Sequence, residues 1–261
     1  MKLTNRTVLI TGGSAGIGLA FAERLAALGN EVIVTGRRAG PLEAAKRRVP
    51  TLHTIVSDVS DPAQVAALSR EVKERFPKLD VVVNNAGISV YRNLASPSAD
   101  LDELMQEMSV NVGGVIRVTS AFVDKVLEHR GTIVNVSSAL AFVPLPCIPI
   151  YCATKAAIHS YTQSLRFQLE PSGVDVIEVM PPAVATDMTA DLPEGDGLSK
   201  ISAEELTRLT FRDLARGKLE ILPGQAAQLA LMRRLAPAFI NRQLWKAAKK
   251  LVPPPALPAT R

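Results

Sequence analysis

Val8-Leu9-Ile10-Thr11-Gly12-Gly13-Ser14-Ala15-Gly16-Ile17-Gly18 decides how this chain is read. Three apolar residues run directly into a glycine-rich turn, and residues 19–28 then follow a helical pattern. Glycine tolerates positive φ and lets other groups approach the main chain closely. The helix that follows presents unsatisfied N–H groups and the positive end of its dipole. Strand, turn and helix together therefore suit a pyrophosphate. The spacing Gly12-x-x-x-Gly16-x-Gly18 is one residue wider than the general dinucleotide fingerprint, and a turn with a purely structural role is the alternative.

Outward from this unit, short β-branched runs alternate with longer helical patterns, the signature of βαβ units around a parallel sheet. Strands are expected at residues 7–10, 31–35, 52–56, 81–84, 132–136, 174–179 and 219–222. The fold class is α/β, a doubly wound parallel sheet with helices on both faces and right-handed crossovers. Gly12, Arg37, Asp58, Asn85, Ser138 and Pro181 all follow strand ends, where such sheets bind ligands. One edge of the sheet thus gathers the candidate site.

Tyr151 and Lys155 stand four residues apart, and Ser138 lies thirteen residues before the tyrosine. Positions i and i+4 share a helix face, so the ammonium is expected near the phenol. A free phenol titrates at about 10, too high for acid–base work at neutral pH, and a nearby cation lowers it. A surface Tyr–Lys pair on an amphipathic helix is the bland alternative for these two residues taken alone.

Taken with Thr11 to Gly18, Asn84-Asn85-Ala86-Gly87 and Asn111, in that order along the chain, these residues resemble the short-chain dehydrogenase/reductase family. More loosely, Met1-Lys2-Leu3-Thr4, Val34-Thr35-Gly36-Arg37 and Gly217-Lys218-Leu219-Glu220-Ile221 look like its bacterial DltE-type oxidoreductases. The resemblance implies a single Rossmann domain over 1–261 with strand order 3-2-1-4-5-6-7. It implies hydride transfer between a nicotinamide and a carbonyl or alcohol carbon, with Tyr151 exchanging the proton and Ser138 orienting the substrate oxygen. Lys155 would hold the nicotinamide ribose and Asn111 a water relay beneath it. Gly12, Ser14, Gly16, Ile17, Gly18, Asp58, Val59, Asn85, Ala86, Gly87, Pro181, Val184 and Thr186 correspond to positions around the dinucleotide. Pro181-Pro182 replaces the family's usual Pro-Gly, which leaves the path of that loop open.

NAD enzymes usually carry an acidic residue after the second strand, where this chain reads Thr35-Gly36-Arg37-Arg38. Guanidinium groups without a carboxylate suit a 2′-phosphate, so NADP is the expected cofactor, with NAD less favoured. The alternative is that Arg37 and Arg38 begin a solvated helix. Capping the helix after Asp58 is a job better suited to Ser60 or Asp61, ahead of Pro62.

With 261 residues, 47% of them hydrophobic, the chain has ample material for a single core. No apolar signal region precedes the first strand, and a cytoplasmic protein is expected. Cys147 and Cys152 are expected to be free thiols, and they and the three histidines show no metal-ligand spacing. Substrate recognition is expected after Gly87, in the apolar, proline-stiffened residues 140–150, and in 187–199. A lid and helix span 187–218, and Ser202 opens that helix in a capping box. An uncharged loop at 140–150 favours an apolar carbonyl or alcohol, though it could equally cover core or a subunit contact.

Seven of the 30 basic residues and none of the 25 acidic ones follow Glu220. If 239–251 is helical, Ile240, Leu244, Ala247 and Leu251 form an apolar stripe, with Arg242, Lys246 and Lys249 on another face beside Trp245. This basic amphipathic extension, 224–261, would pack on the domain or a second subunit in preference to a membrane surface. No aromatic or groove-reading module accompanies the charge, so nucleic acid is not expected. A homodimer or homotetramer acting on a small molecule is the favoured assembly. The favoured function is NADPH-dependent reduction of an apolar ketone or aldehyde. An NAD-linked alcohol dehydrogenase and a low-turnover nucleotide-binding sensor or scaffold are the alternatives.

Overall fold

The structure is a computed structural model and describes residues 3–94, 101–190, 192, 199–249 and 251–252. Seven strands form one parallel sheet in the order β3-β2-β1-β4-β5-β6-β7. They are β1 (Thr7–Thr11), β2 (Glu31–Gly36), β3 (His53–Val56), β4 (Leu79–Asn84), β5 (Thr132–Val136), β6 (Asp175–Val179) and β7 (Glu220–Ile221). Helices α1 (Gly16–Ala27), α2 (Ala39–Arg48), α3 (Pro62–Arg75), α4 (Leu101–Met108), α5 (Gly114–Glu128) and α6 (Pro149–Leu169) connect the strands up to β6. Helix α7 (Ala203–Ala215) precedes β7, and α8 (Ala226–Leu235) and α9 (Pro237–Ala248) follow it.

Why the strands read as unbroken apolar runs is plain from β1, which is buried throughout. Side chains alternate across a strand. Val8 and Ile10 accordingly join Phe21, Leu25 and Phe211 on one face of the sheet, while Leu9 joins Val65, Leu68 and Phe122 on the other. Burying a side chain such as Phe122 contributes roughly 1.5–3 kcal/mol.

Expected strand ends shift by one or two residues. Leu52 precedes β3 because its N–H bonds back to the Val49 carbonyl in a turn, and β4 begins two residues early at Leu79, paired with Thr7. Asp61 caps α3, accepting from the Ala63 and Gln64 N–H groups. Ser202 caps α7, accepting from the Glu205 N–H at 3.1 Å.

A third apolar cluster lies over the carboxyl edge. It joins Val143, Leu145, Cys147, Ile148 and Cys152 to Leu244 and Ala248 of α9, with Ile240 and Leu251 packed against it. The expected C-terminal stripe therefore turns inward onto the domain. Its helix runs over Pro237–Ala248 and not to Leu251, with Pro237 in the first turn, where no N–H is needed. Most of the expected lid, and the chain after Val252, lie outside the described residues. Among the described residues no helix is long and apolar enough to cross a membrane.

Candidate active site

The β1–α1 turn is held open by two glycines in the left-handed region, Gly12 (φ 64°) and Gly16 (φ 53°). A Cβ on Gly12 would stand 2.9 Å from Ala86 Cα, so only glycine lets this turn lie against the turn after β4. Asn85 ties the two together, its Nδ2 donating to the Thr11 and Gly12 carbonyls at 3.0 and 3.1 Å. Thr11 Oγ1 accepts from the Asn85 and Ala86 N–H groups. Ala15 precedes α1 without a side-chain cap, and the first turn holds no acidic residue. Its N–H groups are left to face an anion.

Two clefts open on this edge and share Gly12, Ala86 and Gly87. The smaller, about 140 Å³, is bordered by Ser14, Arg37, Arg38, Asp58, Val59 and Val110. Arg37 Nη1 stands 4.0 Å from Asp58 Oδ2, whose other oxygen accepts from the Ser60 N–H and hydroxyl. The buried hydroxyls of Thr35 and Ser57 border the same cleft and have no hydrogen-bond partner within the protein. An uncapped helix start, a glycine cradle and orphaned hydroxyls beside two guanidinium groups fit a phosphorylated dinucleotide.

The larger cleft, about 690 Å³, is lined by Gly16, Ile17, Ser138, Tyr151, Lys155, Pro181, Val184 and Thr186 among others. A Cβ on Gly16 would meet Thr186 Cγ2 at 3.2 Å, so Thr186 faces the glycine turn directly. The Pro181 carbonyl accepts from the Ala139 N–H at 2.9 Å and binds the loop after β6 to the loop after β5. Gly18 lines neither cleft. A Cβ there would lie 2.3 Å from the Gly12 carbonyl oxygen, which makes its bareness a packing requirement of the turn.

Ser138 caps the short turn Ala139–Ala141, its Oγ accepting from the Leu140 N–H, and lines the larger cleft with Tyr151. Lys155 is buried, and its Nζ donates to the Val136 carbonyl at 2.8 Å and lies 5.5 Å from the Tyr151 ring centroid. Helical spacing does bring the pair together. The expected depression of the phenol does not follow: burial pushes Tyr151 above its ordinary value, the Ser138 hydroxyl opposes, and Cys152 and Glu107 add to the rise. Burial likewise lowers Lys155 to about 8, with the Glu178 carboxylate opposing. Burial, and not the charge pairing read from spacing, sets both shifts.

Asn111 lies in a π-helical turn, Ser109–Gly113, just under the cleft. Its Oδ1 accepts from the Ile88 N–H at 2.8 Å, and its Nδ2 donates to the Ile88 carbonyl and to Thr154 Oγ1. A Cβ on Gly87 would stand 3.3 Å from Asn111 Oδ1 and 3.8 Å from Lys155 Nζ, so the three residues meet there.

Residues 6–197 match the model of the family described as short chain dehydrogenase. The chain belongs to the short-chain dehydrogenase/reductase family. Uncharacterized oxidoreductase DltE of Bacillus subtilis (strain 168) is 42% identical to this family member over 224 residues, covering 85% of this chain and 89% of that protein. A short-chain dehydrogenase from Burkholderia cenocepacia J2315, solved in complex with NADP, superposes with a TM-score of 0.82 at 26% identity and covers 94% of this chain and 99% of its own. The 3-ketoacyl-(acyl-carrier-protein) reductase from Brucella melitensis, complexed with NADH, gives 0.75 at 26% identity, covering 80% and 90%.

Spacing and composition passed over other residues at this edge of the family member. Glu178, fully buried on β6, accepts from the Ser137 hydroxyl and lies 2.8 Å from His159 Nδ1. A carboxylate among the buried apolar residues of β6 was the available signal. Glu107 is buried on α4, its Oε1 accepting from the Val90 N–H, and burial raises its carboxyl. Leu229 and Met232 of α8 and Ile240 and Leu244 of α9 wall the larger cleft, beside Leu140, Leu145 and Ile148 from the expected substrate segment. Cys147 and Cys152 are free, and burial lifts both thiols to about 11, which keeps them protonated and unreactive at neutral pH.

Proposed function

We propose that the protein reduces an apolar ketone or aldehyde with NADPH. One observation carries this reading: Tyr151 and Ser138, with buried Lys155 beside them, stand together on the wall of a cleft that begins at the glycine turn and ends among apolar side chains. When bound, the reduced nicotinamide supplies a hydride to the substrate carbon. Ser138 Oγ orients the carbonyl oxygen, and Tyr151 Oη gives that oxygen its proton as the carbon is reduced. The Lys155 ammonium stabilises the phenolate left behind, and Asn111 positions the segment that holds Lys155 and the Ile88 backbone.

Gly12, Ser14, Gly16 and Ile17 would cradle the pyrophosphate, with Gly18 packing the turn beneath it. Asp58 and Val59 would border the adenine, Asn85, Ala86 and Gly87 its ribose, and Pro181, Val184 and Thr186 the nicotinamide. Arg37 and Arg38 favour a 2′-phosphate, and the missing acidic residue after β2 argues against NAD. Family membership supports a homodimer or homotetramer. The walls contributed by α8 and α9 favour an apolar substrate.

The decisive experiment is a panel of aliphatic and aromatic aldehydes and ketones, offered with NADPH and with NADH, following nicotinamide absorbance. Oxidation of NADPH by apolar carbonyls, with higher kcat/KM than for charged ones, is the expected result. Turnover only of alcohols with NAD would replace this reading by the NAD-linked dehydrogenase. No turnover with either cofactor, despite tight binding, would favour a nucleotide-binding sensor.

A further inference from the structure

Helices α8 and α9 have two faces. Inward, they wall the cleft and join the third apolar cluster. Outward, Leu231, Leu235, Phe239 and Trp245 are 55%, 69%, 55% and 46% exposed, more apolar surface than a solvated helix pair needs. Leu231 and Leu235 are one turn apart on α8. On α9, helical spacing sets Arg242 and Lys246 between Phe239 and Trp245, opposite buried Leu244. Arg234, Arg242, Lys246 and Lys249 are exposed and form no ion pair among the described residues, and the chain carries no acidic residue after Glu220.

Charge decides what covers this face. A second copy related by a two-fold axis would bring the same cations against themselves, and the segment has no carboxylate to separate them. A bilayer with anionic headgroups offers phosphates to the cations and an apolar layer to the leucines and aromatic rings. We propose that α8 and α9 dock flat on an anionic phospholipid surface. The helices that wall the apolar cleft are then the ones that meet the lipid. The docking itself does not depend on the proposed reaction.

The test uses the whole chain without cofactor or substrate, so its outcome is separate from that of the activity assay. The protein is sedimented with vesicles of phosphatidylcholine, with and without phosphatidylglycerol. Wild type is expected to pellet only with the anionic vesicles and to be released by salt. Trp245, the one tryptophan of the chain, should shift its emission to the blue in the same titration. Reversing three charges, Arg234→Glu, Arg242→Glu and Lys246→Glu, should lower partitioning by on the order of a hundredfold or more. Leu235→Ser with Phe239→Ser should weaken binding and reduce the blue shift, and thermal unfolding verifies that both variants fold. Wild type that stays in the supernatant overturns the proposal, as does equal pelleting by the folded charge-reversed variant. A concentration-dependent rise in mass that the charge-reversed variant abolishes would also overturn it and assign the face to a second copy.

Discussion

His159 Nδ1 meets the Oε2 of fully buried Glu178 at 2.8 Å, between β6 and α6 and one helical turn beyond Lys155. The other Glu178 oxygen is held by the Ser137 hydroxyl, next in sequence to Ser138. A buried carboxylate is costly unless paired and hydrogen-bonded, and here both oxygens are engaged. The same carboxylate favours the ammonium form of Lys155. The pair therefore supports the candidate site from the α6 side of the sheet.

Titration of His159 should be visible in stability. The Glu178 hydrogen bond raises its pKa above the ordinary 6.5, against burial; Glu220 also raises it and Arg166 lowers it. A raised histidine contributes stability that is fully present below 6.5 and is lost as pH rises through the folded-state value. His159→Gln should thus cost most at about pH 5 and progressively less towards about pH 8. Urea unfolding of both proteins across that range measures the gap. A gap that widens with pH would show that Glu178 does not charge the ring.

Tyr151→Phe removes one hydroxyl and almost no volume. If Tyr151 is the proton donor, kcat should fall by roughly 10²–10⁴-fold, while NADPH affinity, read by fluorescence titration, stays at its wild-type value. Wild-type turnover in the purified variant would transfer the proton donation to another group.

Replacing Arg37 and Arg38 with Gln should weaken NADP far more than NAD. A charge-assisted hydrogen bond contributes about 1.5–3 kcal/mol, which amounts to roughly tenfold or more in Kd. Calorimetric titration of both dinucleotides separates the outcomes. Equal losses would mean a general disturbance of the fold, and an unchanged NADP Kd would remove both arginines from the pocket.

Gly18 should not tolerate alanine. At Gly18 the new Cβ would lie 2.3 Å from a backbone carbonyl that cannot turn aside, and overpacking of this kind costs about 1–3 kcal/mol. That exceeds the helix propensity alanine gains. Thermal unfolding should show Gly18→Ala melting lower than wild type.

Much of this protein was legible in local pattern. Short β-branched runs place all seven strands to within two residues, because a parallel strand buried on both faces is largely apolar at consecutive positions. The glycine spacing after β1 and the Tyr151–Lys155 interval are equally local, since a turn and one helical repeat are set by neighbours in sequence. What the tertiary structure decided depends on distant segments. Glu178 finds His159 only because β6 packs beneath α6, and Gly18 is revealed as a packing glycine only where the turn folds back over α1. The inward stripe of α9 walls the cleft because β7 carries the chain back to the carboxyl edge. The balance that leaves Tyr151 raised and Lys155 lowered is a matter of burial, and burial is a property of the assembled core that no interval along the chain encodes.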